Sequence, residues 1–529
     1  MNQRLEYLKQ RVGAGKISRR EFMGRTAAMG ITAAAASTMM SSALHAAGPV
    51  KGGMLRAGMN GGASSDTLDP ALVASEATHA ILKQWSENLV DVSASGELTP
   101  RLAESIESTP DAKTWRFKIR QGVEFHNGKT MTPEDVVATI ERHSDEEATS
   151  GALGIVKGIE SMAVDGDTVA ITLTGANADF PYLMADYHLG IQPGGGKDDP
   201  AAGIGTGPYV VEVNEPGVRT GYKKHANYWD DGRGHADEVE VLVINDATAR
   251  TAALQSGQVQ MINRVDPKVA GLLDRAPNLM VKNVSGRGHY VFIMRIEMEE
   301  FVNNDLRMAL KLAINREEMV DKILRGYGGV GNDMPINAAY PLFDDTIPQR
   351  TYDPEAAAEY YKKSGHDGSP IILRTAEGAF PGAVDAAQLF QQSAAAAGIP
   401  LEIKREPDDG YWSEVWNKQP FCASYWGGRP VQDQMYSTAY LSTADWNDTQ
   451  WKRESFDNML FAAKAELDQG VRKQLYSDMG MMLRDQGGLI LPMFNDFVDA
   501  ISDKVGGYED NPNGGLMDDF ALSSTWLMS

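Results

Sequence analysis

The chain has 529 residues, too many for one simple core, so two or three domains are expected. Its 42% apolar, 8% aromatic and 23% charged content is that of an ordinary globular protein. The formal net charge of -22 repels nucleic acid and anionic membrane surfaces at long range, so no nucleic-acid partner is expected. The single cysteine, Cys422, excludes an internal disulfide and a cysteine-built zinc site. In QPFCASYWGG it reads as a small buried hydrophobe.

In chain order, residues 1–46 come first. They carry seven basic side chains (Arg4, Lys9, Arg11, Lys16, Arg19, Arg20, Arg25) against Glu6 and Glu21. The stretch MGITAAAASTMMSSALHAA follows, apolar but diluted by Ser and Thr, and shorter than a robust membrane span. Small residues at Ala46 and Ala47 suit signal cleavage. Within KISRREFMG, the SRREF run followed by Met resembles the bacterial twin-arginine export motif, an address read by a receptor. The resemblance implies removal of residues 1–46 and a periplasmic mature protein.

The mature chain opens on the strand-like MLRAGM. TWRFKIRQGVEF then alternates Trp115, Phe117 and Ile119 as a half-buried strand does. KTMTPEDVVATIERH starts a helix, with Thr132 as cap, Pro133 at the first helical position and Asp135 three residues beyond the cap. Val136, Val137 and Ile140 make its apolar side. LRMALKLAINREEMVDKIL reads as two helices, the second begun by Asn315 with Glu318 at capping-box spacing. TYDPEAAAEYYKKSG is a helix from Asp353–Pro354 to Gly365. IILRT, a helix over 382–397 and IPLEIKRE form a β-α-β run, which predicts a parallel sheet. A helix over 471–486 and a short strand, LILPMF, follow.

Catalytic and cofactor motifs are few. No GxxxxGK[ST] occurs, and GIGTGPY precedes a strand-like YVVEV instead of opening a helix, against dinucleotide binding. The nine histidines form no HExxH or other close ligand spacing, and GxSxG is absent. No catalytic residue, cofactor or metal is therefore expected.

Aromatics offer more. GYWSEVWNKQPFCASYWGGRPVQDQMY holds Tyr411, Trp412, Trp416, Tyr425, Trp426 and Tyr436, broken by glycines and one arginine. Trp and Tyr present wide contact surfaces with a polar edge, and they serve core packing equally well. Arg429, after Gly427 and Gly428, either binds a carboxylate with its planar fork or closes an ion pair.

TLDP (67–70) and ELTPRLAESIESTPDAKTWRFKIRQGVEFHNGKTMTPEDVV (97–137) resemble the N-terminal signature of extracellular solute-binding proteins of family 5, the receptors of ABC importers for peptides, nickel complexes and other solutes. GTGPYVV (205–211), HANYWDDG (225–232), ALQSGQV (253–259), LRMALKLAINREEMV (306–320), DWNDTQW (445–451), FDNML (456–460) and VGGYEDNP (505–512) continue the likeness in order. The resemblance implies an α/β, two-lobed periplasmic-binding-protein-like fold, type II, with an extra subdomain in lobe one. The expected organisation is a signal peptide over 1–46, lobe one over 47–76 and 200–285, the added subdomain over 77–199, lobe two over 286–489, and a return to lobe one over 490–529. It also implies a monomeric receptor that holds solute between its lobes, breaks no covalent bond, and delivers its cargo to permease subunits driven by cytoplasmic ATPases. Alternatives are a twin-arginine-exported periplasmic hydrolase and, within the receptor class, a nickel or metal-chelate binder.

Dipeptide-binding relatives resemble GWxGD in lobe two, where the acid meets the peptide amino terminus. Here the text is SYWGGRP, with Arg429 at the acid's position. Those relatives also carry an arginine early in the preceding helix, and FPGAVDAAQLFQQ has none. A positive anchor in place of a negative one favours a solute that presents a carboxylate or another anion. Asp433 is then the candidate amine contact. The expected ligand-binding set is Asn60, Trp412, Tyr425, Trp426, Gly427, Arg429 and Asp433.

Overall fold

The computed structural model describes the chain except residues 1, 14–16, 18, 32–35, 37–38, 40–47, 74, 145–149, 408–410, 445 and 529. The expected cleavage site at Ala46–Ala47 lies outside the described residues. The side chains of Arg19 and Arg20 do too, although their backbone lies in the helix Arg19–Ala27. Among the described residues, no helix is long and apolar enough to cross a membrane. The chain divides into two compact units: residues 1–174, 181–284 and 497–529 form one, and residues 175–180 and 285–496 the other.

In unit 1, Met54–Met59 runs parallel to Glu238–Val243 and to Met261–Ile262. Arg219–Lys224 and Tyr209–Glu215 extend the sheet antiparallel. Leu55, Ala57 and Met59 are buried in its core with Val239, Val241 and Trp85. Trp85 ends the helix Glu76–Trp85, whose start is a reciprocal capping box between Ser75 and Thr78. The GTGP loop lies against that helix end. A Cβ at Gly205 would stand 2.4 Å from the Trp85 carbonyl oxygen, so the glycine there permits close backbone approach. His126 holds the same loop, with Nε2 2.9 Å from the Gly207 carbonyl oxygen.

A four-stranded antiparallel sheet also belongs to unit 1, ordered Ala103–Ser108, Thr114–Ile119, Thr168–Leu173, Ile159–Asp165. Trp115, Phe117 and Ile119 are buried as their alternation predicts. Helix Pro133–Ser144 buries Val136 and Ile140. Its cap works from the acid: Asp135 Oδ2 accepts from the Thr132 backbone N–H at 2.8 Å and from the Thr132 hydroxyl at 3.2 Å. The HANYWDDG motif serves the scaffold. Tyr228 and Trp229 donate to the Glu87 carboxylate at 2.8 and 2.9 Å, and Arg101 pairs with Glu87, Asp91 and Asp230.

Unit 2 contains the expected β-α-β run. Ile371–Thr375 and Leu401–Arg405 pair in parallel, joined through the helix Ala383–Ala395. On its other side Ile371–Thr375 meets Phe421–Trp426, which pairs antiparallel with Leu279–Met294. Asn315 and Asp353 cap their helices through their side-chain oxygens, and Gly365 ends its helix in the left-handed region. Among the strands, LILPMF grows into Leu489–Ser502, fourteen residues long. Gly328–Val330 pairs with residues 493–495, and Met261–Ile262 with Ala500 and Ile501, which carries the strand past the end of LILPMF.

Candidate functional site

The strand Phe421–Trp426 buries every side chain except Tyr425, which is 46% exposed. Cys422 is in the core, where burial pushes its thiol far above its ordinary range and leaves it inert. Beyond Trp426 the chain turns through exposed Gly427 and buried Gly428. Gly428 has φ +77°, and a Cβ there would fall 2.4 Å from the Arg287 Cβ. Both requirements select glycine, and together they fix the direction in which the next residue leaves the sheet.

That residue is Arg429. Its backbone N–H donates to the Tyr340 hydroxyl at 3.0 Å, and its Nη1 to the Gly428 carbonyl at 2.6 Å. The guanidinium carbon lies 6.0 Å from the centre of the Trp426 ring. Among the described residues no carboxylate pairs with Arg429, whereas Arg374, just before the FPGAVDAAQLFQQ stretch, is paired with Glu406. Arg429 therefore keeps uncommitted donors. His289, register partner of Trp426, adds no competing cation: burial first, and the Arg429 charge with it, lower its pKa to about 4.

The other expected residues are placed differently. Trp426 is 5% exposed, and its Nε1 donates to Asp448 Oδ2 at 3.2 Å, so it is a packed wall. Asp433 is buried, 3.1 Å from Lys464 Nζ, and accepts from the Ser437 hydroxyl at 2.9 Å, so its charge is already matched. Asn60 belongs to unit 1, where its backbone N–H donates to Asn263 Oδ1 at 2.9 Å at the end of the first strand. The Trp412 side chain lies outside the described residues. Tyr411 and Tyr436, in the same aromatic run, are core residues.

Two residues absent from the expected set stand beside these. Asp448 is fully buried, and its Oδ2 accepts from both Trp416 Nε1, at 3.0 Å, and Trp426 Nε1. Its Oδ1 has no hydrogen-bond partner, and burial raises the carboxyl's pKa to about 7. Trp446, 51% exposed, sets its ring 6.1 Å from that of Trp416 and 6.0 Å from that of Trp426. Both residues stand in DWNDTQW, which carries the family likeness without indicating a binding role. Among the described residues, no group of three or more His, Cys, Asp and Glu side chains is placed to hold a metal ion.

Residues 97–448 match the description "Bacterial extracellular solute-binding proteins, family 5 Middle". The chain belongs to this family of solute-binding proteins. The glutathione-binding protein GsiB of Salmonella typhi is 27% identical over 481 residues, covering 87% of this chain and 93% of its own. The structure of DppA from Helicobacter pylori, an ABC transporter-associated periplasmic binding protein in complex with the peptide STSA, superposes with a TM-score of 0.77 at 22% identity. That match covers 91% of this chain and 99% of DppA. AgaA from A. tumefaciens R10, in complex with agropinic acid, gives 0.77 at 23% identity, over 90% and 99%. The fold is that of type II periplasmic binding proteins. As a family 5 member the chain is a solute-binding receptor of ABC import, and the hydrolase alternative is not favoured.

Proposed function

We propose that this solute-binding protein captures a peptide-like or small organic anion, with Arg429 as the anion anchor on unit 2. One observation carries the reading: a half-buried guanidinium, fixed by the Gly427–Gly428 turn, with no carboxylate partner among the described residues. A planar fork in that state gains two charge-assisted hydrogen bonds when a carboxylate arrives. Relatives named for glutathione and for di- and tripeptides support a peptide-like cargo. Asn60, Tyr425, Trp426, Gly427 and Trp412 complete the proposed contact set. Asp433, the expected amine contact, is paired with Lys464.

The protein acts without catalysis. Solute that binds one conformation better shifts the population toward it, and the permease reads that form while its ATPases supply the work. We assign 77–199 to an added subdomain and 286–489 to lobe two of a monomeric periplasmic receptor, exported on the twin-arginine signal in residues 1–46.

Calorimetric titration with glutathione and with its diethyl ester tests the anchor. The free acid should bind wild type and the ester should not. Arg429→Ala should weaken glutathione binding about 10- to 100-fold, the worth of hydrogen bonds to a charged group. Equal affinity of the variant and wild type for glutathione would remove Arg429 from the site.

A further inference from the structure

Trp446 is a large exposed aromatic that the anion anchor does not account for. An indole left half in water forgoes the hydrophobic free energy that burial would supply. Its base is rigid. Trp416 and Trp426 both contact its ring, and both of their indole N–H groups end on one oxygen of the buried Asp448 carboxyl. Trp416 and Trp426 therefore have fixed ring planes, and Trp446 stands against them at interplanar angles of 83° and 57°. An aromatic surface held this way loses little side-chain entropy when something packs on it.

Its position relative to Arg429 gives the surface a chemical meaning. The Arg429 guanidinium and the Trp446 ring each lie 6.0 Å from the ring of Trp426. One buried indole thus has an uncommitted cation near it and an exposed aromatic ring beside it. An anion alone would use the first feature and leave the second idle.

We propose that Trp446 is a binding platform for an apolar or aromatic group of the solute, so that the preferred cargo is a carboxylate bearing such a group. Asp448 is the positioning residue that holds the platform's base. The inference rests on the anion anchor proposed above and narrows it from any small organic anion to an amphiphilic one.

The test uses S-benzylglutathione and S-methylglutathione, which share their carboxylates and differ in the apolar group. Wild type should bind the benzyl conjugate about tenfold more tightly, the scale of a buried aromatic contact. Trp446→Ala should erase that preference, Trp446→Phe should retain most of it, and both should leave the methyl conjugate within about twofold. Arg429→Ala should weaken both conjugates by the same factor. Asp448→Asn keeps the acceptor oxygen and the shape, and should retain the preference while flattening any pH dependence of benzyl binding around pH 7. Preference unchanged in Trp446→Ala, with Arg429→Ala still weakening both conjugates, overturns the platform alone. Binding of neither conjugate to wild type overturns the platform and the anchor together.

Discussion

At the scale of single residues, Asp448 makes the sharpest claim about stability. Its carboxyl is enclosed by the Trp416 and Trp426 indoles, with the Cys422 thiol and Tyr440 hydroxyl also in electrostatic range, both held neutral by burial. No cation pairs with it among the described residues, so desolvation dominates and the folded state holds its proton up to about pH 7. An unfolded aspartate releases its proton near pH ~4. The folded form therefore binds more protons between these values, and stability falls as pH rises through that window, then levels off. Between about pH 5 and 8, wild type should lose roughly 2–3 kcal/mol relative to Asp448→Asn in urea unfolding. Asp499, also pushed up to about 7, is present in both proteins and cancels. Parallel pH profiles for the two proteins would refute the assignment. Legibility at this scale depends on how local the chemistry is. Arg429 can be read because its glycines are adjacent, whereas Asp448 acquires its role from tryptophans 32 and 22 residues away.

Helices and strands are legible where one side chain or a short period decides them. Asn315, Asp353 and Asp135 satisfy helix-start N–H groups or the capping residue itself, and these interactions span three residues. The strand Leu489–Ser502 reads as shorter in the sequence, because its continuation depends on distant partners, through pairs such as Gly328↔Asn495 and Ile262↔Ala500. The same strand contributes to a charge centre that no periodicity reports. Asp333, fully buried with φ +56°, accepts from Arg316 Nη2 on both oxygens at 2.7 Å. Arg350 Nε lies 2.9 Å away, and the Leu491 backbone N–H donates at 2.9 Å. A helix start, a loop and a strand thus meet on one carboxylate. Arg316, Lys311 and Arg350 hold its pKa below the ordinary carboxylate range despite its burial, so its contribution persists at neutral pH and is lost as pH falls through the folded pKa. Asp333→Asn leaves the buried Arg316 without its counter-charge, while Arg350 keeps Asp485, and should cost about 3–5 kcal/mol in urea unfolding. A loss below about 1 kcal/mol would mean that the centre does not tie these elements together.

Over the whole molecule, the chain enters unit 2 briefly at residues 175–180, returns to unit 1, spends 285–496 in unit 2, and ends in unit 1. Unit 1 cannot be completed until its last segment, 497–529, has been made. Its strand Met261–Ile262 pairs with Ala500 and Ile501, contacts that close only after about 240 further residues have been made. Such non-local pairing is slow to form and exposes apolar strand surface while it waits. A route that carries a folded passenger suits this topology, and the proposed twin-arginine signal in KISRREFMG is such a route. Replacing Arg19 and Arg20 by Lys preserves the charge of the segment, so a pathway that reads only positive charge should be indifferent to the change. A receptor that reads the arginine pair should not. The expected outcome for Arg19→Lys with Arg20→Lys is at least about a tenfold fall of protein in the periplasmic fraction, with the full-length chain accumulating folded in the cytoplasm. Unchanged periplasmic yield would assign the segment to a charge-read signal and remove the need for the passenger to fold before it crosses.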